Sequence, residues 1–243
     1  MKRFLIFFFV VISAVFVSCS KEEAKKLLLD KTSTSLYQNE TSVITSNGTN
    51  VTYTSRNPYV ATVKETGEVT AHFVGETVID VKADEGTAEF KVTVTPKYYT
   101  FDEPCHDWTK TKNEVFAMHP SLSFSSSGEY WIATVNESKA MLLQYKFDSA
   151  NKLESSAITI HQDYGVQAMY FLAERYFPVT KKDGYYFFIN GLSTTTANTS
   201  IAMSKMPGYT VYMIMYMPYS SSKSVVLSDS GASSIILPEA WKE

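Results

Sequence analysis

The densest set of chemically capable side chains lies in Asp102-Glu103-Pro104-Cys105-His106-Asp107, with His119 a short way on. Thiolate, imidazole and carboxylate are zinc-ligand types, but a structural zinc site needs a second close pair such as Cys-x-x-Cys or His-x-x-x-His, which the sequence lacks. Cys105 beside His106 suggests a thiol nucleophile and its base. Neighbouring residues of an extended chain point to opposite sides, so the two are poorly placed to share a proton. Ser193 and Ser230 lack the Gly-x-Ser-x-Gly setting of an exposed nucleophile, and no phosphate-cradling or dinucleotide loop is present. A carboxylate pair for glycoside cleavage stays open, because its separation is a property of the fold. The expectation is a chain without catalytic residues, metal or cofactor. Stacking on sugar rings is the other chemistry available: Trp108, Tyr219 and Trp241 lie outside the strand-like runs and are the ligand-binding candidates, whereas aromatics within strands fill a core.

The elements that would position these residues follow from pattern. In residues 97–243 the segment 107–118 predicts a helix, with Thr111 as N-cap and Glu114 three positions on, the spacing of a capping box, and Pro120 ending it. Strand-like runs follow at 130–135, 141–147 and 153–160, the last two joined by the turn Asp148-Ser149-Ala150-Asn151-Lys152. A second helix is predicted over 162–177, its apolar stripe formed by Val166, Met169, Tyr170, Ala173, Tyr176 and Phe177, with Glu174 and Arg175 off the stripe. The runs 185–189 and 209–217 are apolar throughout, as central strands covered on both sides are. This is an α+β domain with a mostly antiparallel sheet and two helices.

Residues 27–96 break instead into short β-type runs at 27–29, 43–46, 51–55, 61–63, 68–72, 77–82 and 89–95, with turn glycines between them. Alternation is clearest at the end, where Phe90, Val92 and Val94 share one face. Seven short strands imply a β-sandwich. The stretch Ser55-Arg56-Asn57-Pro58-Tyr59-Val60-Ala61-Thr62-Val63, then Gly67-Glu68-Val69-Thr70-Ala71, then Gly75-Glu76-Thr77-Val78-Ile79 resembles the bacterial Ig-like group 2 domain. Tyr53 stands where that family usually has Trp. The resemblance implies a cell-surface module, with Val60, Val63, Val69 and Ile79 facing its core and no ligand site among the matched residues. The junction Pro96-Lys97-Tyr98-Tyr99-Thr100 is short and is expected to be stiff. Beyond it, Phe171-Leu172-Ala173-Glu174-Arg175-Tyr176 resembles uncharacterised domains that follow Ig-like modules in lipoproteins of the Bacteroides group, to which no activity attaches.

The N-terminus addresses the chain. Met1-Lys2-Arg3 precedes a run of about fourteen apolar residues, shorter than the roughly twenty a membrane-spanning helix needs, and Ser18-Cys19 follows. Residues 1–18 therefore read as a lipoprotein signal peptide, which resembles the bacterial lipobox with Cys19 as the lipidated residue and Phe16 in place of the usual Leu. An uncleaved anchor helix would tether the chain too. Residues 19–26 form a linker in which Lys21, Glu22 and Glu23 are similar to the export signal of Bacteroides-group surface lipoproteins. Lipidation consumes Cys19, so Cys105 has no disulfide partner and is expected in the core. The sequons at Asn39, Asn47, Asn50, Asn136 and Asn198 carry no weight behind a bacterial lipobox. The net charge of −3 falls to −5 when Lys2 and Arg3 leave, and no basic run exists, which excludes a nucleic-acid partner. The sequence thus reads as a non-catalytic outer-membrane lipoprotein at the cell surface. It is membrane-bound through Cys19, with an Ig-like stalk presenting a binding domain to a glycan or a partner protein. A hydrolase with its active site in the C-terminal domain, and a structural subunit of an envelope complex, are the alternatives.

Overall fold

A computed structural model of the chain describes residues 26–135 and 139–219. Cys19, Lys21, Glu22, Glu23, Asn136 and Trp241 lie outside the described residues. Seven strands come first: β1 (Ser33–Leu36), β2 (Thr41–Val43), β3 (Thr52–Ser55), β4 (Ala61–Val63), β5 (Glu68–Ala71), β6 (Gly75–Ala83) and β7 (Gly86–Val94). They make a four-stranded sheet in the order β1-β7-β6-β3 and a three-stranded sheet β2-β5-β4. One core lies between the sheets, with Val69, Ile79, Phe90 and Val92 fully buried, Val60 nearly so and Val63 packed at its margin. Tyr53 also packs there, beside Gly67, whose positive φ of 81° turns the chain between β4 and β5.

The first strand differs from expectation. Residues 27–29 contribute a single bridge, Leu29 to Ser46, while the first true strand is β1, which runs parallel to β7 with Leu36 opposite Val94. Its sequence, Ser-Thr-Ser-Leu, carries no apolar alternation, so only the distant partner strand defines it.

The second region holds α1 (Lys112–Ala117), β8 (Ser125–Ser127), β9 (Tyr130–Thr134), β10 (Ala140–Phe147), β11 (Leu153–His161), α2 (Gly165–Ala173), β12 (Phe177–Lys182), β13 (Tyr185–Ile189), β14 (Thr199–Lys205) and β15 (Val211–Pro218). The eight strands form one antiparallel sheet ordered β12-β13-β14-β15-β11-β10-β9-β8. A β-sandwich followed by a mostly antiparallel sheet with two helices is therefore the fold. In α1 the capping box is complete: Thr111 accepts from the Glu114 backbone N–H, and the Glu114 carboxylate accepts from Thr111 N–H at 2.8 Å. Thr111→Ala is expected to cost about 1 kcal/mol, read as a lowered urea midpoint. The helix is shorter than the predicted 107–118, because residues 107–110 turn back through Lys110 N–H to the Asp107 carbonyl at 3.0 Å.

The second helix departs further. It stops at Ala173, and Phe177 begins strand β12 instead of closing the helix. Its buried face consists of Gly165, Ala168, Phe171 and Leu172, while Val166 is 69 % exposed and Tyr170 is 52 % exposed. Glu174, placed off the stripe by periodicity, is only 4 % exposed. Gly165 allows the close approach: a Cβ there would lie 2.3 Å from the Tyr212 ring.

Both helices pack on one face of the eight-stranded sheet. Phe171 and Leu172 meet Ile158, Ile201, Phe188 and Tyr216, while Val115 meets Leu143, Tyr145 and Leu153. The sandwich abuts the end of α2. Val74 N–H donates to the Glu174 carbonyl at 2.8 Å, Tyr59 donates its hydroxyl to the Arg175 carbonyl at 2.7 Å, and Phe73 stacks on Tyr59 at 4.5 Å.

Candidate functional site

The cluster that looked most chemical in sequence is divided by the fold. Cys105 is buried with Val115, Leu143, Tyr145 and Leu153, and burial raises its thiol pKa, which keeps it protonated and unreactive. His106 turns away to stack on Tyr216 at 5.4 Å, with its Nδ1 3.0 Å from the Pro104 carbonyl. His119 reaches the hydroxyl of the fully buried Tyr145 at 2.8 Å, and the same hydroxyl accepts from Cys105 N–H at 3.0 Å. Tyr145 therefore donates to a neutral His119. Among the described residues no group of three or more His, Cys, Asp and Glu side chains could hold a metal ion.

Burial lowers the His119 pKa below the ordinary histidine value. The unfolded chain then takes up this proton first as pH falls, so stability is present above the unfolded histidine pKa and is lost as pH drops below it. The urea midpoint is expected to fall between about pH 7.5 and about pH 5.5, and the slope to flatten in His119→Gln. An unchanged slope in that variant would place the titration elsewhere.

Glu103 has a different environment. Its Oε1 accepts from Tyr176 at 2.7 Å and from Tyr216 at 2.8 Å, and its Oε2 lies 3.9 Å from Arg175 Nε. Both phenols are buried, which pushes their pKa values up and holds them protonated as donors. Arg175 lies 3.7 Å over the Phe171 ring and donates through Nη1 to Glu174 Oε1 at 2.6 Å. The Glu174 carboxylate also accepts from Lys97 N–H at 2.9 Å and from Tyr98 N–H at 3.1 Å. A chain of carboxylates, guanidinium and phenols thus fastens the linker between the two regions to the end of α2. Every charge in it has a partner. Sequence reasoning missed Glu174 and Arg175; the signal was two adjacent charges interrupting an otherwise apolar helix end.

Of the ligand candidates, Trp108 and Tyr219 come to the same end of the sheet. Trp108 is half-buried, packs against both helix-side clusters and donates its indole N–H to Thr199 Oγ1 at 3.1 Å. Tyr219, also half-buried, donates its backbone N–H to the Asn198 carbonyl at 2.7 Å. Around them Asn190 Oδ1 accepts from the N–H groups of Asn198 and Thr199, and Asn190 Nδ2 donates to Asn198 Oδ1 at 2.6 Å. The hydroxyls of Ser193, Thr195 and Thr196 lie on the exposed loop between β13 and β14. Planar amides, hydroxyls and an indole edge are thus gathered at this end of the sheet. Trp108 is not a free platform, because its ring is wedged into the core and its polar atom is spoken for.

Residues 28–94 match the bacterial Ig-like domain (group 2) family. No curated protein matches the chain. Among solved structures, an intimin mutant of EHEC O157:H7 aligns with 13 % identity over 45 % of this chain and 86 % of that one, at a TM-score of 0.27. Domains 5–6 of the S-layer protein SbsC align with 15 % identity over 82 % of this chain and 86 % of theirs, at 0.25. Domains 4–9 of SbsC align with 16 % identity over 82 % of this chain and 27 % of theirs, at 0.26. Overlaps this slight transfer neither an activity nor a partner.

Proposed function

We propose that the chain is a non-catalytic cell-envelope lipoprotein, held in the outer membrane through Cys19 and displayed at the cell surface. Its Ig-like sandwich would act as a spacer carrying the eight-stranded domain to a glycan or a partner protein. The observation that supports this best is the junction: the Glu174 carboxylate accepts from the Lys97 and Tyr98 N–H groups and so fastens the linker to the end of α2, as a spacer carrying a head requires. The Ig-like match directly behind the lipobox-like Ser18-Cys19 gives the order expected of such a protein. A single acyl chain binds membranes only marginally, at about 0.8 kcal/mol per buried methylene, whereas a Cys carrying two or three chains is held stably. Cys19→Ala is therefore expected to release the protein from the membrane fraction or leave it unprocessed. Processing to the same mature mass, with retention through a high-salt wash, would remove the anchor. Protease added to intact cells should cleave the C-terminal domain; complete protection would turn it inward, to the periplasm.

For the ligand, the cluster of Asn190 and Asn198 with Trp108 and Tyr219 is the site we assign to a glycan. Because Trp108 supports the fold, the informative substitutions are Tyr219→Ala, Asn190→Ala and Trp108→Phe, together with Trp241→Ala for the candidate outside the described residues. Glycan-array binding that survives all four would remove this site.

A further inference from the structure

The outward flank of α2 carries an exposed aromatic strip that crosses the junction. Val166 and Tyr170 stand one turn apart on the same side of the helix, both turned to solvent. Tyr170 stacks on Tyr98 of the linker, with ring centres 5.0 Å apart and 18° between the planes, and Tyr98 packs in turn on the core. Tyr99, beside it, is 74 % exposed. At the start of α2, Lys139 Nζ lies 5.6 Å from the centre of the Tyr164 ring and donates to the Tyr99 carbonyl at 3.1 Å. At its end, Gln38 of the sandwich donates to the Ala173 carbonyl at 3.0 Å, and the neighbouring Tyr37, exposed, has Lys97 Nζ 4.7 Å from its ring centre. A nine-residue helix is about 14 Å long, so the strip has that length and an ammonium group towards each end.

Single exposed tyrosines are ordinary, but here Tyr37, Tyr99, Val166 and Tyr170, from the sandwich, the linker and the helix, are tied to one flank by the contacts above. Among the described residues neither Lys97 nor Lys139 is paired with a carboxylate, while the acids around them are taken. Glu174 is buried, Glu40 accepts from Tyr37 N–H at 2.8 Å, and Asp163 lies 3.2 Å from His161 Nδ1. The strip is therefore aromatic and cationic. We propose that it binds an acidic oligosaccharide across the junction, with sugar rings stacked on Tyr170 and Tyr99 and carboxylate or sulfate groups paired with Lys97 and Lys139. This rests on the glycan-binding reading and gives it a surface that shares no residue with the cluster at Asn190. Tyrosine suits the task as a rigid apolar face with a hydroxyl edge. A lysine already held over a ring has less freedom to lose on meeting an anion. An acidic peptide fits less well, because strand addition needs free main-chain groups and the Lys97 and Tyr98 N–H groups already go to Glu174. A ligand that touches Tyr37 and α2 together also braces the sandwich against the sheet.

The test is titration calorimetry on the protein beginning at residue 19 with Cys19→Ser. A galacturonate hexamer and a sulfated dextran oligomer are the acidic probes, and the methyl ester of the hexamer and plain dextran are their neutral counterparts. At least one acidic probe is expected to bind about tenfold or more tightly than its neutral counterpart, and less tightly as salt rises. Tyr170→Ala and Val166→Glu, both at exposed positions, should each weaken that binding about fivefold or more, and Lys97→Gln combined with Lys139→Gln should flatten its salt dependence. The bound probe should also slow amide exchange in the peptide spanning residues 97–100. Equal binding of the neutral probes, or full affinity in both Tyr170→Ala and Val166→Glu, overturns the proposal. Competition of equal strength by a glutamate hexamer assigns the strip to acidic peptides and overturns it too. Binding lost in Asn190→Ala combined with Tyr219→Ala, but kept in the α2 variants, moves the glycan to that cluster and overturns this inference alone. No binding of either acidic probe rejects the strip, and rejects the glycan reading with it only where the glycan array is blank as well.

Discussion

Glu174→Ala is expected to cost about 3–5 kcal/mol and to split one unfolding transition into two. The carboxylate is 4 % exposed, and three donors converge on it: Lys97 N–H, Tyr98 N–H and Arg175 Nη1. Its removal leaves two backbone donors and much of a guanidinium charge without a partner at a site water barely reaches. Glu103 does not compensate, since its Oε2 is 3.9 Å from Arg175 Nε and its other oxygen already serves Tyr176 and Tyr216. Glu174→Gln should be intermediate: its amide keeps one acceptor oxygen, but its NH₂ must face a donor. The check is urea unfolding followed with two probes, amide hydrogen exchange of the β6 and β7 peptides for the sandwich and the fluorescence of Trp108 and of Trp131 in β9 for the sheet, together with small-angle scattering for interdomain motion. Coincident transitions and an unchanged scattering profile in Glu174→Ala would show that the junction is held without the carboxylate, by the packing of Tyr59, Phe73 and Phe177 and by the bonds of Val74 N–H and the Tyr59 hydroxyl to backbone carbonyls.

That junction was the part least visible in sequence, for a physical reason. A helix that is apolar nearly all round supports several stripes of equal merit, and α2 offers Val166, Met169 and Tyr170 as readily as Ala168, Phe171 and Leu172. The choice between them is made by Gly165, whose missing side chain lets the helix sit on Tyr212, and by the sandwich arriving at Glu174. Neither contact is local. Similarly β1, β8 and β14 escaped because strand pairing defines them: Ser125-Ser126-Ser127 and Thr199-Ser200 have turn-like composition but lie in the sheet through their partners. The strand β12, exposed along its whole length, has the Pro178 and lysines common on sheet edges. What local chemistry could dictate was legible. The capping box of α1, the β10–β11 hairpin with Asn151 at a φ of 59°, and the alternation of Phe90, Val92 and Val94 all stand as read. The ligand candidates were legible only as residue types. That Trp108 and Tyr219 converge on Asn198 and Thr199 depends on the β14–β15 register, while Trp108 being wedged into two clusters depends on the linker path.

Phe90→Ala follows from the alternation and carries the other large effect, about 3–5 kcal/mol, because the ring is fully buried between the two sheets and β6 and β7 cannot close on the space it leaves. Its consequence beyond the sandwich depends on Glu174. With the junction intact, loss of the sandwich removes the groups that pack on the end of α2, namely Tyr59, Phe73 and the Val74 N–H, so the eight-stranded region should lose stability in the same transition. In a Glu174→Ala background the two regions are expected to report separately. Phe90→Ala should then lower only the sandwich midpoint and leave the fluorescence of Trp108 and Trp131 unmoved. The double-mutant cycle isolates the coupling: the two costs add if the junction carries none of it, and fall short of additivity by about 1–3 kcal/mol if Glu174 transmits it. Strict additivity would mean that the sandwich and the sheet fold as neighbours without a shared transition, and the rigid spacer would lose its physical basis.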